Sequence, residues 1–192
     1  MFHFDRDFVD KNAERYMFPR RIYRRIKDLH NQYVVRKIIP TGDFQFFLGD
    51  VPYDQLDENT PWTHFEAGRT LWAEPDQWAW FRQTVTIPEE FAGEDVWYYA
   101  SAHTTDSQWH WGHPQAQMFV NGECVYGLAC NHRSYLLCKN AKGGEVLQID
   151  VKMYSDLTYY QGPRTFAATL QILRPQVYEL YRSLLVPCRP PL

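Results

Sequence analysis

The chain has 192 residues, of which 45% are hydrophobic and 22% charged, enough for one medium-sized globular domain with an appendage. Its net charge of -3 gives no basic field for nucleic acid, and no apolar run is long enough for a signal core or a membrane span. Its 4 cysteines lack zinc-ribbon spacing and are too few for a disulfide scaffold, so we expect reduced thiols in a cytoplasmic protein.

The N-terminal part of the chain is predicted to be helical. Apolar residues recur there at steps of four, three and four, at Ile22, Ile26, Leu29 and Tyr33. This spacing places one apolar stripe along a helix, while the basic residues of the segment occupy the other faces, where such charges usually meet water. We therefore expect an N-terminal α-helical segment before the first strand.

Short strands separated by turns follow. The stretch from Trp78 to Ile87 alternates its side chains and stops at Pro88, which has no N–H to donate to a sheet. Asn121-Gly122 supplies two residues that tolerate positive φ, so it predicts a tight hairpin between the strands beside it. Other strands are predicted at 43–48, 95–101, 134–138, 146–153 and 165–173, and a helix is predicted to begin near Val177.

This succession of short strands indicates a mainly β protein, an antiparallel β-sandwich. We expect a helical segment at residues 1–40, the sandwich at 41–175, and the start of a linker or helix at 176–192. The connection from 49 to 71 is predicted to be irregular and pinned by Trp62 and Phe65. Aromatic residues are 17% of the chain, which suits a sandwich core, a sugar-facing surface or a domain interface.

One loop contains a cluster of residues able to bind metal or sugar: His103, Asp106, Trp109, His110, Trp111 and His113. Zinc needs ligands that converge at about 2 Å, and residues three apart in an extended loop do not automatically share a face, so we predict no metal site here. Indole rings stack on the apolar faces of sugars, and neighbouring polar groups hold the hydroxyls. The candidates for carbohydrate or interface contact are Trp109, Trp111, His113 and His132. The alternative is a solvated loop whose two tryptophans pack on the edge of the sandwich.

No residue is assigned a catalytic role. Glu89 and Glu90 are adjacent in a turn, and neighbouring side chains point apart, whereas glycosidase carboxylates flank one bond at about 5–10 Å. We expect both to lie on the surface. The sequence also lacks the Gly-x-Ser-x-Gly, Walker and dinucleotide-binding patterns.

Three stretches together resemble the N-terminal region of glycoside hydrolase family 38, the α-mannosidases. They are the helix with the following segment 33–46, the strand and turn at 78–93, and the hairpin at 119–133, which contains Val120-Asn121-Gly122. The similarity extends from about residue 20 to about residue 185. It implies the jelly-roll, galactose-binding-like form of the sandwich.

The resemblance implies a non-catalytic domain that packs on the catalytic barrel of a retaining α-mannosidase and takes part in homo-oligomer assembly. Zinc or another divalent metal is expected in that missing barrel, and this chain itself is expected to bind no cofactor. The Gly-His-x-His-x-Asp type motif that opens the barrel is not found in the chain, which ends where the barrel is expected to begin. The alternative is a free-standing carbohydrate-binding module with mannosides as ligands.

Overall fold

The computed structural model describes residues 25–26, 28–29, 33–104, 114–129, 132–157 and 162–185. The strands are β1 (Val35–Pro40), β2 (Phe44–Leu48), β3 (Thr63–Phe65), β4 (Gln77–Thr86), β5 (Val96–Thr104), β6 (Gln115–Val120), β7 (Glu123–Leu128), β8 (Ser134–Cys138), β9 (Val146–Ser155) and β10 (Arg164–Leu173). Helix α1 (Pro175–Leu185) follows the last strand, and two short 3-10 turns lie at Tyr53–Gln55 and Glu89–Phe91.

The strands form two sheets, one of four strands in the order β1-β10-β5-β8 and one of six in the order β3-β2-β4-β9-β6-β7. In the larger sheet β4 and β9 pair antiparallel along their whole length, from Gln77 opposite Ser155 to Thr86 opposite Val146. The prediction of a mainly β protein with antiparallel sheets is therefore confirmed. The described chain divides into two compact units, one of them Ile39–Leu170 and the other drawn from the residues on either side of it.

Within Ile39–Leu170 the core is aromatic. Phe81, in the middle of β4, is fully buried, and its ring centroid lies 4.7 Å from that of Phe166 and 5.0 Å from that of Phe65. Tyr98 on β5 is also fully buried, and its hydroxyl accepts a hydrogen bond from the Gln83 side chain at 2.7 Å. Along β4 every second residue, from Ala79 to Val85, is thus buried in the core, because side chains alternate across a pleated sheet.

The prediction of an N-terminal helical segment is not supported. Residues 1–24 lie outside the described residues, and residues 35–40, which were included in that segment, form β1 instead. The backbone N–H of Arg174 donates to the carbonyl of Val34 at 2.9 Å, which ties the start of β1 to the chain beyond β10. A helical spacing of apolar residues did not reveal this pairing because the partner strand is more than 100 residues away.

The strand predictions from 78 onward are confirmed to within a few residues. The Asn-Gly hairpin joins β6 and β7, with φ of 48° at Asn121 and 89° at Gly122. The predicted helix near 177 is α1. Strand β3 lies inside the connection that was predicted to be irregular, where it pairs with β2. No helix among the described residues is long and apolar enough to cross a lipid bilayer.

We expect Gly122→Ala to lower the free energy of unfolding by about 1–2 kcal/mol, because φ of 89° is strained for any residue with a Cβ. Gly127→Ala, on the neighbouring strand, is the matched control, since Gly127 is not among the positive-φ glycines and an added Cβ would meet no described residue within 4 Å. Urea denaturation of both variants measures the difference. Equal losses at the two glycines would contradict the proposed turn geometry.

Candidate functional site

The six-stranded sheet has an outer face, which is the side turned away from the aromatic core. Three rows of side chains cross β4, β9 and β6 on this face: Trp78–Tyr154–Gln115, Trp80–Lys152–Gln117 and Arg82–Asp150–Phe119. Alternation within each strand puts these residues on one side, and the antiparallel register sets them opposite one another. The outer face thus combines aromatic rings, amides and charges.

Residues 49–62, here called the strap, lie over part of this face. The indole N–H of Trp80 and the ammonium of Lys152 both donate to the carbonyl of Val51, each at 3.1 Å. Lys152 also forms an ion pair with Asp50 at 2.6 Å. These contacts explain why Trp80 is fully buried although it points away from the core.

Asp150 is the buried charge beneath the strap. Its side chain is fully buried, and its two carboxylate oxygens accept hydrogen bonds from Arg82 Nε at 2.5 Å, Gln148 Nε2 at 2.8 Å and the Tyr53 hydroxyl at 3.2 Å. A buried carboxylate is tolerated where a cation and further donors surround it in this way. Asp150 is therefore held as a paired anion that fastens the strap, with no access to a substrate.

Tyr53 connects the strap to the sheet by its ring as well as its hydroxyl. The ring stacks on Phe119 at 4.7 Å between centroids with 13° between planes, and it meets Trp80 edge-on at 5.9 Å. Burial, followed by the negative charge of Asp150, raises the pKa of Tyr53 above its ordinary value of 10.0. The phenol consequently stays protonated and donates to Asp150.

Tyr53→Phe is expected to reduce stability by about 1–2 kcal/mol, because it removes one donor from a buried carboxylate. Since the pKa of Tyr53 is raised on folding, its contribution is fully present below pH 10.0 and is lost as the pH rises through the higher folded value. Thermal melts from pH 8 to 11 should show a steeper alkaline decline for the wild type than for Tyr53→Phe. Parallel declines would contradict this assignment.

The row at the end of the outer face lies beside the strap. Trp78 and Tyr154 are half-buried and stack at 4.6 Å with 29° between their planes. The Tyr154 hydroxyl donates to Asp76 at 2.7 Å, and this hydrogen bond raises the pKa of Tyr154. The ammonium of Lys152 lies 4.8 Å from the centroid of the Trp78 ring. These contacts keep the two rings in place at the surface.

Next to these rings is a polar area that we call the shelf, formed by Gln115, Gln117 and Gly127. All three residues are exposed, and Gly127 pairs directly with Gln117 across β6 and β7. Residues directly opposite in an antiparallel pair share a face, so the shelf belongs to the outer face. Since glycine has no side chain, the backbone of β7 is bare at this point.

Most of the predicted site residues lie outside the part of the chain that the structure describes. They are Asp106, Trp109, His110, Trp111 and His113. His103 falls on β5, where only the backbone is described. His132 is exposed, and its backbone pairs with Ala129 in a short bridge. The carbohydrate or interface role of Trp109, Trp111, His113 and His132 therefore stays a prediction.

Among the residues that the structure describes, no group of three or more His, Cys, Asp or Glu side chains could hold a metal ion. Glu89 and Glu90 are exposed at a 3-10 turn whose third residue, Phe91, is buried. The cysteines whose state is described, Cys124 and Cys138, are both free, and burial raises the pKa of the Cys138 thiol.

Sequence reasoning identified the strands of the outer face but not its contacts. A strand at 146–153 puts Gln148, Asp150 and Lys152 on one face, because alternate residues of a strand share a face. That alternation did not show that Arg82 and Tyr53, which lie 68 and 97 positions from Asp150, would meet its carboxylate. The register between β4 and β9 sets Arg82 opposite Asp150, and the strap brings the Tyr53 hydroxyl to the same carboxylate.

No protein-family model and no curated protein sequence matches this chain. Solved structures do resemble it. The β-glucuronidase of Faecalibacterium prausnitzii is 17% identical with a TM-score of 0.44, and the match covers 65% of this chain and 22% of that one. For the Ruminococcus gnavus β-glucuronidase in complex with uronic isofagomine, the identity is 11%, the TM-score 0.45 and the coverages 74% and 30%. A glycosyl hydrolase family 2 member from Bacteroides cellulosilyticus DSM 14838 is 13% identical with a TM-score of 0.46 and coverages of 71% and 20%.

These neighbours overturn the predicted relationship to family 38. We expected similarity to α-mannosidases, but the similar solved structures are β-glucuronidases and a member of glycosyl hydrolase family 2. The prediction that the chain is the N-terminal domain of an α-mannosidase is wrong. The motifs behind it encode a strand ended by proline and an Asn-Gly turn, which many sandwiches need, so they report local structure and not family. The chain spans less than a third of each of these neighbours, and identities and scores this low transfer no activity.

Proposed function

We propose that this chain is an accessory β-sandwich domain that binds saccharide on the outer face of its six-stranded sheet. The observation that carries the proposal is the row Trp78–Tyr154–Gln115, which lies beside the strap and continues into the exposed shelf. Sugar rings have apolar faces and a rim of hydroxyls, and they are bound by aromatic surfaces with a few placed polar groups. The outer face offers that combination.

The strap makes this face rigid before any ligand arrives. Lys152 is fixed between Val51, Asp50 and two tryptophan rings, and Tyr154 is fixed by Trp78 and Asp76. Side chains that are already ordered lose little entropy on binding, which is the advantage of a preorganised site. The buried ion pair between Arg82 and Asp150 thus supports a binding role indirectly. It fastens the strap through Tyr53, and the strap in turn fixes Lys152.

The face is suited to holding a sugar and not to cleaving one. Its buried carboxylate, Asp150, accepts three hydrogen bonds and is shielded from ligand, so it is not placed to protonate a glycosidic oxygen. We therefore propose that the chain works as part of a larger glycosidase whose catalytic domain supplies the chemistry. We further propose that the sandwich has the jelly-roll, galactose-binding-like form.

Isothermal titration calorimetry of the wild-type chain against neutral gluco-, galacto-, xylo- and manno-oligosaccharides tests the proposal. We expect measurable heat with at least one series, quenching or enhancement of tryptophan fluorescence on binding, and no turnover of aryl glycosides. Absence of heat and of spectral change across all four series would overturn the saccharide-binding role. Turnover by the isolated chain would overturn the accessory role.

A further inference from the structure

We propose that the shelf of Gln115, Gln117 and Gly127 is the subsite that seats a pyranose ring of a neutral saccharide, with Tyr154 at its side. The inference rests on the proposed function and names where and what the domain binds. The inference follows from two observations. Neither the backbone conformation nor the packing requires glycine at position 127, and the side chains that form the shelf with it are uncharged amides.

Glycine in the interior of a strand weakens the strand, and it usually marks a bulge, a bend or a close approach by a ligand or another backbone. Gly127 is not among the residues with positive φ, so its conformation does not require glycine. The irregularity between β6 and β7 falls between Met118 and Phe119, not at the pair Gln117–Gly127. A Cβ built on Gly127 meets none of the described residues within 4 Å, so none of them excludes a side chain.

Close approach of a ligand to bare backbone is the explanation for Gly127 that we infer, since its φ, its register and its space for a Cβ do not demand glycine. Gln117 stands directly opposite it, and Gln115 lies two positions along β6 on the same face, about 7 Å away by strand geometry. Each glutamine has an amide that both donates and accepts, as a sugar hydroxyl does. Two such amides beside the bare backbone of Gly127 can form hydrogen bonds to the hydroxyl groups of one sugar ring or of two adjacent rings.

Among the residues that the structure describes, the charged side chains beside Gln117 and Tyr154 are Lys152 and Asp76, and both are already paired, which favours a neutral occupant. The Lys152 ammonium is bonded to Asp50 and to the carbonyl of Val51, and Asp76 accepts the hydroxyl of Tyr154. An anionic sugar would have to compete with Asp50 for Lys152, whereas a neutral ring leaves both pairs intact. The partly exposed ring of Tyr154 adds an apolar edge.

Gly127→Thr is the decisive variant. Open space and a strand-compatible φ allow the new side chain, and threonine suits a strand, so we expect an unchanged or higher melting temperature. The methyl and hydroxyl groups would occupy the floor of the shelf, so we expect at least a tenfold loss of affinity for the oligosaccharide that the wild type binds best. Glu123→Thr, an exposed position on the same strand outside the shelf, is the matched control and should bind as the wild type does.

Gln117→Ala is a second variant that does not depend on Gly127 tolerating a side chain, and we expect about a threefold or larger loss of affinity. Wild-type binding that survives unchanged in both Gly127→Thr and Gln117→Ala would overturn the shelf while leaving the saccharide-binding function in place. An absence of binding by the wild type would overturn both. Tighter binding of a carboxylated or sulfated oligosaccharide than of its neutral counterpart would overturn the neutral class of ligand.

Discussion

Arg82→Met is expected to lower the free energy of unfolding by about 3–5 kcal/mol, because it leaves the Asp150 carboxylate buried without its cation. Only 18% of the Arg82 side chain and none of the Asp150 side chain is exposed, so water does not replace the lost partner. The strap should loosen in the same variant, since Tyr53 bonds to the same carboxylate. Urea denaturation followed by tryptophan fluorescence measures both effects.

Arg69→Met provides the matched control for that loss. Arg69 pairs with Glu66 at the surface, with 78% of its side chain exposed, and exposed pairs contribute less than about 1 kcal/mol. A combined Arg82→Met and Asp150→Leu variant should recover part of the stability, because it removes the unpaired charge as well as its partner. If Arg82→Met and Arg69→Met shifted the midpoint equally, Asp150 would not be the buried anchor described above.

Phe81→Ala is expected to destabilise the sandwich by about 3–5 kcal/mol. The ring is fully buried at the centre of the aromatic core, within ring-contact distance of Phe44, Phe46, Phe65, Trp72 and Phe166. Its removal would leave a cavity that neighbouring rings, held by both sheets, fill poorly. The measurement is again the unfolding midpoint in urea, together with the near-ultraviolet circular dichroism of the native state.

Phe47→Ala is the corresponding control on the outer face. Phe47 is only half-buried, and its described ring contact is with Trp62 at 6.1 Å between centroids. We expect a distinctly smaller loss for Phe47→Ala than for Phe81→Ala, because less apolar surface returns to water and no enclosed cavity forms. A larger loss at Phe47 would mean that the aromatic core is wrongly placed on the inner side of the sheet.

The two faces of the six-stranded sheet therefore have separate tasks. The inner face provides stability through aromatic packing around Phe81. The outer face contains a buried ion pair, which is a weak way to gain stability because desolvation of the charges offsets most of their attraction. Its structural result is to fasten the strap, whose residues Val51 and Asp50 hold Lys152 beside the Trp78 ring.

Local sequence signals predicted much of the sandwich. The side-chain alternation of β4 and β9, the proline after β4 and the Asn-Gly turn between β6 and β7 each act within ten residues, so they can be found without any knowledge of partners. The same signals misled on family, because they describe strands and turns that unrelated sandwiches share. They also missed β1, whose neighbour in the sheet is the distant β10, and β3, which is only 3 residues long.

The sequence by itself determined which residues alternate along each strand, where the chain turns, and that the protein is mainly β. Only the tertiary structure decided which strands are neighbours and in what register. The pairing of Arg82 with Asp150, the reach of Tyr53 from the strap, and the meeting of Gln117 with Gly127 all depend on that register. The physical reason is that a shift of one residue turns every side chain of a strand to the opposite face, and no local pattern specifies the partner.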